Sequence, residues 1–77
     1  MLRLNECVIG CCYVVDSVRV EERIARRLEA LGVNEGTSVN ILNKKGSGSV
    51  IIKVRGTRLA LGNHLSQGIT VRKERGA

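Results

Sequence analysis

Proline, tryptophan and phenylalanine are missing from these 77 residues, and Tyr13 is the only aromatic. Without rings along a strand there is no platform for stacking nucleic-acid bases. An aromatic groove of the kind that reads Pro-rich peptides is excluded for the same reason. Long apolar runs are lacking too: none approaches the roughly 20 residues a helix needs to cross a bilayer. The opening, Met1-Leu2-Arg3-Leu4-Asn5-Glu6, holds no apolar core of a secretory signal. Three cysteines, an odd number, do not read as a disulfide framework. Together these absences predict a cytoplasmic protein.

What remains is one small domain, 1–77, with a frayed tail expected at 73–77. Its hydrophobic share of 43% is that of an ordinary folded chain. Charge is unevenly placed. Residues 1–40 carry five arginines against six carboxylates, while residues 41–77 carry eight cations against Glu74 alone. A basic second half predicts attraction to an acidic surface, whether protein, membrane or nucleic acid.

Cys11-Cys12-Tyr13-Val14-Val15-Asp16-Ser17-Val18 is β-favouring and of strand length. Val20, Ile24, Leu28 and Leu31 then recur at helical spacing and make one apolar stripe. Glu21 and Glu22 near the start and Arg26 and Arg27 near the end suit the helix dipole. Gly32 follows as the residue that can close the helix in a left-handed conformation. From Thr37 to Leu42 the period changes to 2, as in a half-buried strand. Lys44-Lys45-Gly46-Ser47-Gly48-Ser49 reads as a flexible turn. Val50–Val54, Leu59–Leu61 and Ile69–Arg72 complete the strands, with a short helical turn or loop at Gly62–Gly68. Five short strands joined by tight turns predict a small closed barrel, because closure removes exposed edges. The single helix would plug one open end.

Catalysis finds little support. His64 is the one histidine, and no Ser, Cys or Asp carries a nucleophile signature. Gly46-Ser47-Gly48 is a fragment of a phosphate-cradling loop without its following helix. Metal chemistry is more open: Cys7, Cys11 and Cys12 put three thiols within six residues, and thiolates are good soft ligands. The spacing matches no zinc ribbon or knuckle, and adjacent strand residues point to opposite faces. Packing of these thiols in the core is therefore the plainer reading. Only one helix is visible, so a helix-turn-helix is excluded.

Three segments, taken together, resemble the FeoA family, small cytoplasmic proteins of bacterial and archaeal ferrous iron uptake. They are Arg26-Arg27-Leu28-Glu29-Ala30-Leu31-Gly32-Val33, then Glu35-Gly36-Thr37-x-Val39, and then Val54-Arg55-Gly56-Thr57-Arg58-Leu59-Ala60-Leu61-Gly62. The resemblance runs from about Gly10 to Val71. It implies a mainly β chain, an SH3-like β-barrel of about five strands with one α-helix inserted after the first strand. The same fold occurs as the C-terminal domain of DtxR-type metal-dependent repressors. The resemblance also implies an accessory or regulatory partner of the FeoB permease, which carries a cytosolic GTP-binding domain.

Arg55 and Arg58 flank the last hairpin without a structural need for charge, so they are the expected partner contacts, with Lys44 and Lys45 behind them. Two other readings stay open. One is a sensor or carrier of Fe2+ or another transition metal through Cys7, Cys11, Cys12 or His64. The other is a basic nucleic-acid-binding barrel, the weaker of the two. Self-association is open as well. The loop Asn63-His64-Leu65-Ser66-Gln67 and the Cys11-Cys12 pair match no family motif.

Overall fold

The computed structural model describes residues 1–74. Six strands form, β1 Leu2–Arg3, β2 Cys12–Val18, β3 Ser38–Lys44, β4 Val50–Val54, β5 Thr57–Leu61 and β6 Ile69–Lys73, and all but the first are expected from the sequence. Helix α1 spans Glu22–Ala30 and the one-turn α2 spans Asn63–Gly68. The strands form one antiparallel sheet in the order β1-β6-β2-β3-β4-β5. Alternation decides the faces. Val50, Ile52 and Val54 of β4 turn inward, and Lys53 between them faces solvent.

Three expectations need correction. The first expected strand is the second in the chain, because Leu2–Arg3 pairs with Val71 and Thr70 at the sheet edge. Two residues are too short a run to show a period. Leu4, next along and in a short 3-10 turn, is nonetheless part of the core. The sheet is also not closed by hydrogen bonds, since β1 and β5 remain its two edges among the described residues. Helix α2 lies across that gap and touches both strands. Finally, Lys73, expected at the start of a frayed tail, belongs to β6 and pairs with Tyr13. Residues 75–77 of that tail lie outside the described residues.

The core is a single cluster. Tyr13, Val15, Ile41, Ile52, Ile69 and Val71 form its centre, with Leu28 of α1 inserted from one side. Tyr13 is fully buried, and its hydroxyl oxygen accepts the Val8 amide at 2.9 Å, which meets the polar need of a buried phenol. Ser66, the one buried polar side chain among the described residues, is equally satisfied. Its hydroxyl reaches the Gly48 carbonyl at 2.8 Å and the Asn63 carbonyl at 3.1 Å. That contact ties α2 to the tip of the β3–β4 hairpin. No helix among the described residues is long and apolar enough to cross a membrane.

Candidate docking site

Helix α1 ends in a way that shapes the surface beside it. Leu31 caps the helix, and Gly32 follows at φ +102°, a conformation that β-carbon crowding denies to other residues. The Gly32 amide reaches the Glu29 carbonyl at 3.0 Å and the Val33 amide reaches the Leu28 carbonyl at 2.9 Å. This is the double bond pattern of a Schellman cap, with Val33 and Leu28 as its apolar pair. The reversal buries Val33 and leaves Leu31 46% exposed. The expected stripe is therefore split: Leu28 is core, Ile24 packs at its margin, and Leu31 faces out.

Arg55 and Gly56 are the two loop residues between β4 and β5, with Val54 paired to Thr57. Both have positive φ, 51° and 80°, the signature of a primed hairpin turn. The turn folds the Arg55 side chain over the end of α1. A β-carbon on Gly32 would sit 2.9 Å from the Arg55 Cδ, so a larger residue there would push that stem aside as well as strain the backbone. The guanidinium consequently lies near the carbonyl end of the helix, where a cation is favoured. Helix end and hairpin are thus interlocked.

Between them opens an apolar groove of about 300 Å³. Ile24, Leu28 and Leu31 line one wall, Leu59 and Leu61 of β5 the other, and Leu65 of α2 closes one end. Arg27 is the only charged residue lining it among the described residues. Strand β5 is a sheet edge, bonded on one side to β4 only. In a two-residue hairpin the loop-flanking residues are the hydrogen-bonded pair, so Arg58 and Ala60 direct their amide and carbonyl groups away from β4. An apolar groove beside a strand edge can accept an extended segment or a second apolar surface.

The residues expected to meet a partner divide. Arg58 is exposed and sits directly across from Lys53, two like charges with no carboxylate partner among the described residues. Arg55 is exposed in the turn that lies against Gly32, and Lys45 is exposed in the neighbouring hairpin. Lys44 has an internal task, because its ammonium donates to the Cys7 carbonyl at 2.8 Å and to the Asn5 carbonyl at 3.4 Å.

The expected metal ligands are not brought together. Cys7 is buried, and burial pushes its thiol up to about 11, so it stays protonated at neutral pH. Cys11 and Cys12 are exposed, and the Cys12 thiol donates to Asn40 Oδ1 across the sheet. His64 lies in α2, its Nε2 2.9 Å from Glu21 at the start of α1. Among the described residues, no three His, Cys, Asp or Glu side chains converge on a point that could hold an ion. Leu31, Leu59 and Leu65 were not singled out by sequence as site residues. Leucines at apolar positions carry no mark that separates a groove wall from a core.

Comparison with known proteins accounts for the whole pattern. The model of the FeoA domain matches residues 2–73. No curated protein matches the chain. Among solved structures, FeoA from Chlorobium tepidum is 28% identical, with 99% of this chain and 73% of that one covered at a TM-score of 0.87. FeoA from Stenotrophomonas maltophilia, solved in complex with zinc and described as a procaryotic SH3-domain protein, is 30% identical. There 92% of this chain and 89% of that one are covered, at a TM-score of 0.77. A manganese-dependent transcriptional repressor, 17% identical, shares the fold at a TM-score of 0.84. This chain covers 95% of its own length but 41% of the repressor's, so the likeness is to one part of that protein. The mainly β, SH3-like architecture and the three sequence motifs thus lead to one assignment: this chain belongs to the FeoA family, whose members are associated with ferrous iron transport.

Proposed function

We propose that the chain is a cytoplasmic accessory or regulatory protein of ferrous iron uptake that docks on the cytosolic part of a FeoB-type permease. It acts by binding and not by catalysis. The observation that carries this reading is the open groove between α1 and β5. Leu31 is held 46% exposed at its mouth by a fully bonded helix cap, so its exposure is built in and not a frayed end. Leu31 joins Ile24, Leu59, Leu61 and Leu65 in one contiguous apolar lining, and it is a contiguous apolar surface, not a lone leucine, that marks an interaction site. Arg27 in the groove lining, with the exposed Arg55 and Arg58 on the adjoining hairpin, favours a partner surface with carboxylates, which raises the encounter rate and selects the partner.

The test is a pull-down with the permease's separately expressed cytosolic domain, with and without guanine nucleotide. Retention of the wild-type chain, lost in a Leu31→Glu variant, is the expected result. Equal retention of both proteins would remove the groove from the interaction. A dependence on nucleotide would show that docking responds to the state of the GTP-binding domain.

A further inference from the structure

A second exposed apolar feature lies away from the groove. Val8, Ile9, Gly10 and Cys11 make a tight turn, closed by the Cys11 amide on the Val8 carbonyl at 3.2 Å. Gly10 takes φ +89° at the third position, the conformation that a type II turn demands there. Three more bonds anchor it. The Val8 amide donates to the Tyr13 hydroxyl at 2.9 Å, the Gly10 amide to the Ile41 carbonyl at 2.7 Å, and the Ile41 amide to the Cys11 carbonyl at 3.1 Å. The turn is therefore rigid, yet it holds Val8 60% and Ile9 51% exposed. Leu42, next in the chain to the carbonyl that receives Gly10, is the other partly exposed aliphatic at this edge.

A cation stands at the base of this apolar tip, and a second follows it in sequence. The Lys44 ammonium donates to the carbonyl of Cys7, immediately before the turn. Lys45 follows it, and its ammonium has no hydrogen-bond or salt-bridge partner among the described residues. Glu6 is the nearest carboxylate in sequence, and one of its oxygens is occupied by the Arg3 amide at 2.8 Å. An exposed turn of two aliphatic side chains on a basic chain matches the layering of an anionic bilayer surface. The aliphatic groups would enter the acyl boundary and Lys45 would meet the headgroups.

We propose that the Val8–Ile9 turn, with Lys45 as its uncommitted cation and Lys44 bracing the segment before it, is a peripheral contact with an anionic membrane surface. The contact is reversible, because two side chains and a few charges fall far short of a stable anchor. It needs no permease, so it stands or falls independently of the groove.

The test uses the whole chain and phosphatidylcholine vesicles with or without about 30% phosphatidylglycerol, the anionic content being an order-of-magnitude choice for a peripheral binder. The chain lacks tryptophan, so an Ile9→Trp variant reports from that one position. Its emission is expected to shift to the blue with anionic vesicles and stay unchanged with neutral ones. In flotation, Val8→Ser with Ile9→Ser should lower binding by about tenfold, and Lys45→Glu by about fivefold. Both positions are exposed, so these variants keep the fold, which thermal melting checks. An unshifted tryptophan would overturn the proposal. So would binding that is salt-sensitive but indifferent to the serine pair, since the basic half would then act by charge alone. A tip that ignores vesicles but whose serine variant loses the permease domain in a pull-down would be a protein contact, and the membrane assignment would fall.

Discussion

The two hairpins at the basic end of the sheet use cations in opposite ways. In the β3–β4 hairpin, Lys44 is committed, its ammonium holding the carbonyls of Asn5 and Cys7 and so fastening the N-terminal segment to the barrel. In the β4–β5 hairpin, Arg58 faces Lys53 with no carboxylate in reach among the described residues, and Arg55 lays only its aliphatic stem on Gly32. One lysine is thus architecture, and the arginines leave their guanidinium groups available. Composition alone places all of them in a single basic half. Partners, not charge, decide which are left for binding.

That contrast can be broken most severely at Gly32. Gly32→Val forces a β-branched residue to φ +102° and drives its β-carbon against Arg55. A loss of about 3 kcal/mol is expected from backbone strain and displaced packing combined, read as a lowered denaturant midpoint with an unchanged slope.

Next in size is a pH effect centred on Cys7, the residue whose carbonyl Lys44 holds. Burial raises its thiol from 9.0 to about 11, so between these values the unfolded chain loses the proton while the folded chain keeps it. Protons bound in the native state then exceed those in the unfolded state, and stability falls as pH rises from 9 to 11. The fall is about 2 kcal/mol for this group. Unfolding curves across that window should show a shallower slope with pH in Cys7→Ala, although that variant starts less stable. Equal slopes would mean that the thiol does not titrate late.

Smaller effects separate the hairpins directly. Lys44→Ala should cost about 1 kcal/mol, because two carbonyls lose a charged donor at a partly solvated site. Arg58→Ala should change stability by less than about 0.5 kcal/mol, while weakening capture of the permease domain. Should Arg58→Ala prove the more destabilising of the two, the division between committed and available cations would be wrong.

Much of this was legible in the residues, for physical reasons that can be named. The α1 stripe, the Gly32 cap and the strand alternation at Val50–Val54 follow from local periodicity and turn chemistry. Leu31 was misjudged, because helical spacing placed it on the buried stripe. The Schellman reversal at the next residue turns the chain before Leu31 can reach the core. Strand β1 was missed since its pairing with β6 joins residues 2–3 to residues 70–71, a separation no local pattern encodes. The hydrogen-bonded closure expected of the barrel is replaced by α2, whose anchor is the buried Ser66 hydroxyl. A serine in a polar loop gives no hint of burial. The four candidate metal ligands are close in sequence or chemically apt, but no three of them converge among the described residues, and burial keeps the Cys7 thiol protonated.

The most direct measurement is an NMR titration of labelled chain with the permease's cytosolic domain, run in parallel on Leu31→Glu. Docking through the groove predicts shifts confined to Ile24–Leu31 and Arg55–Leu61 in the wild type, abolished in the variant while its spectrum remains folded. Shifts that fall elsewhere, or that survive the substitution undiminished, would contradict it.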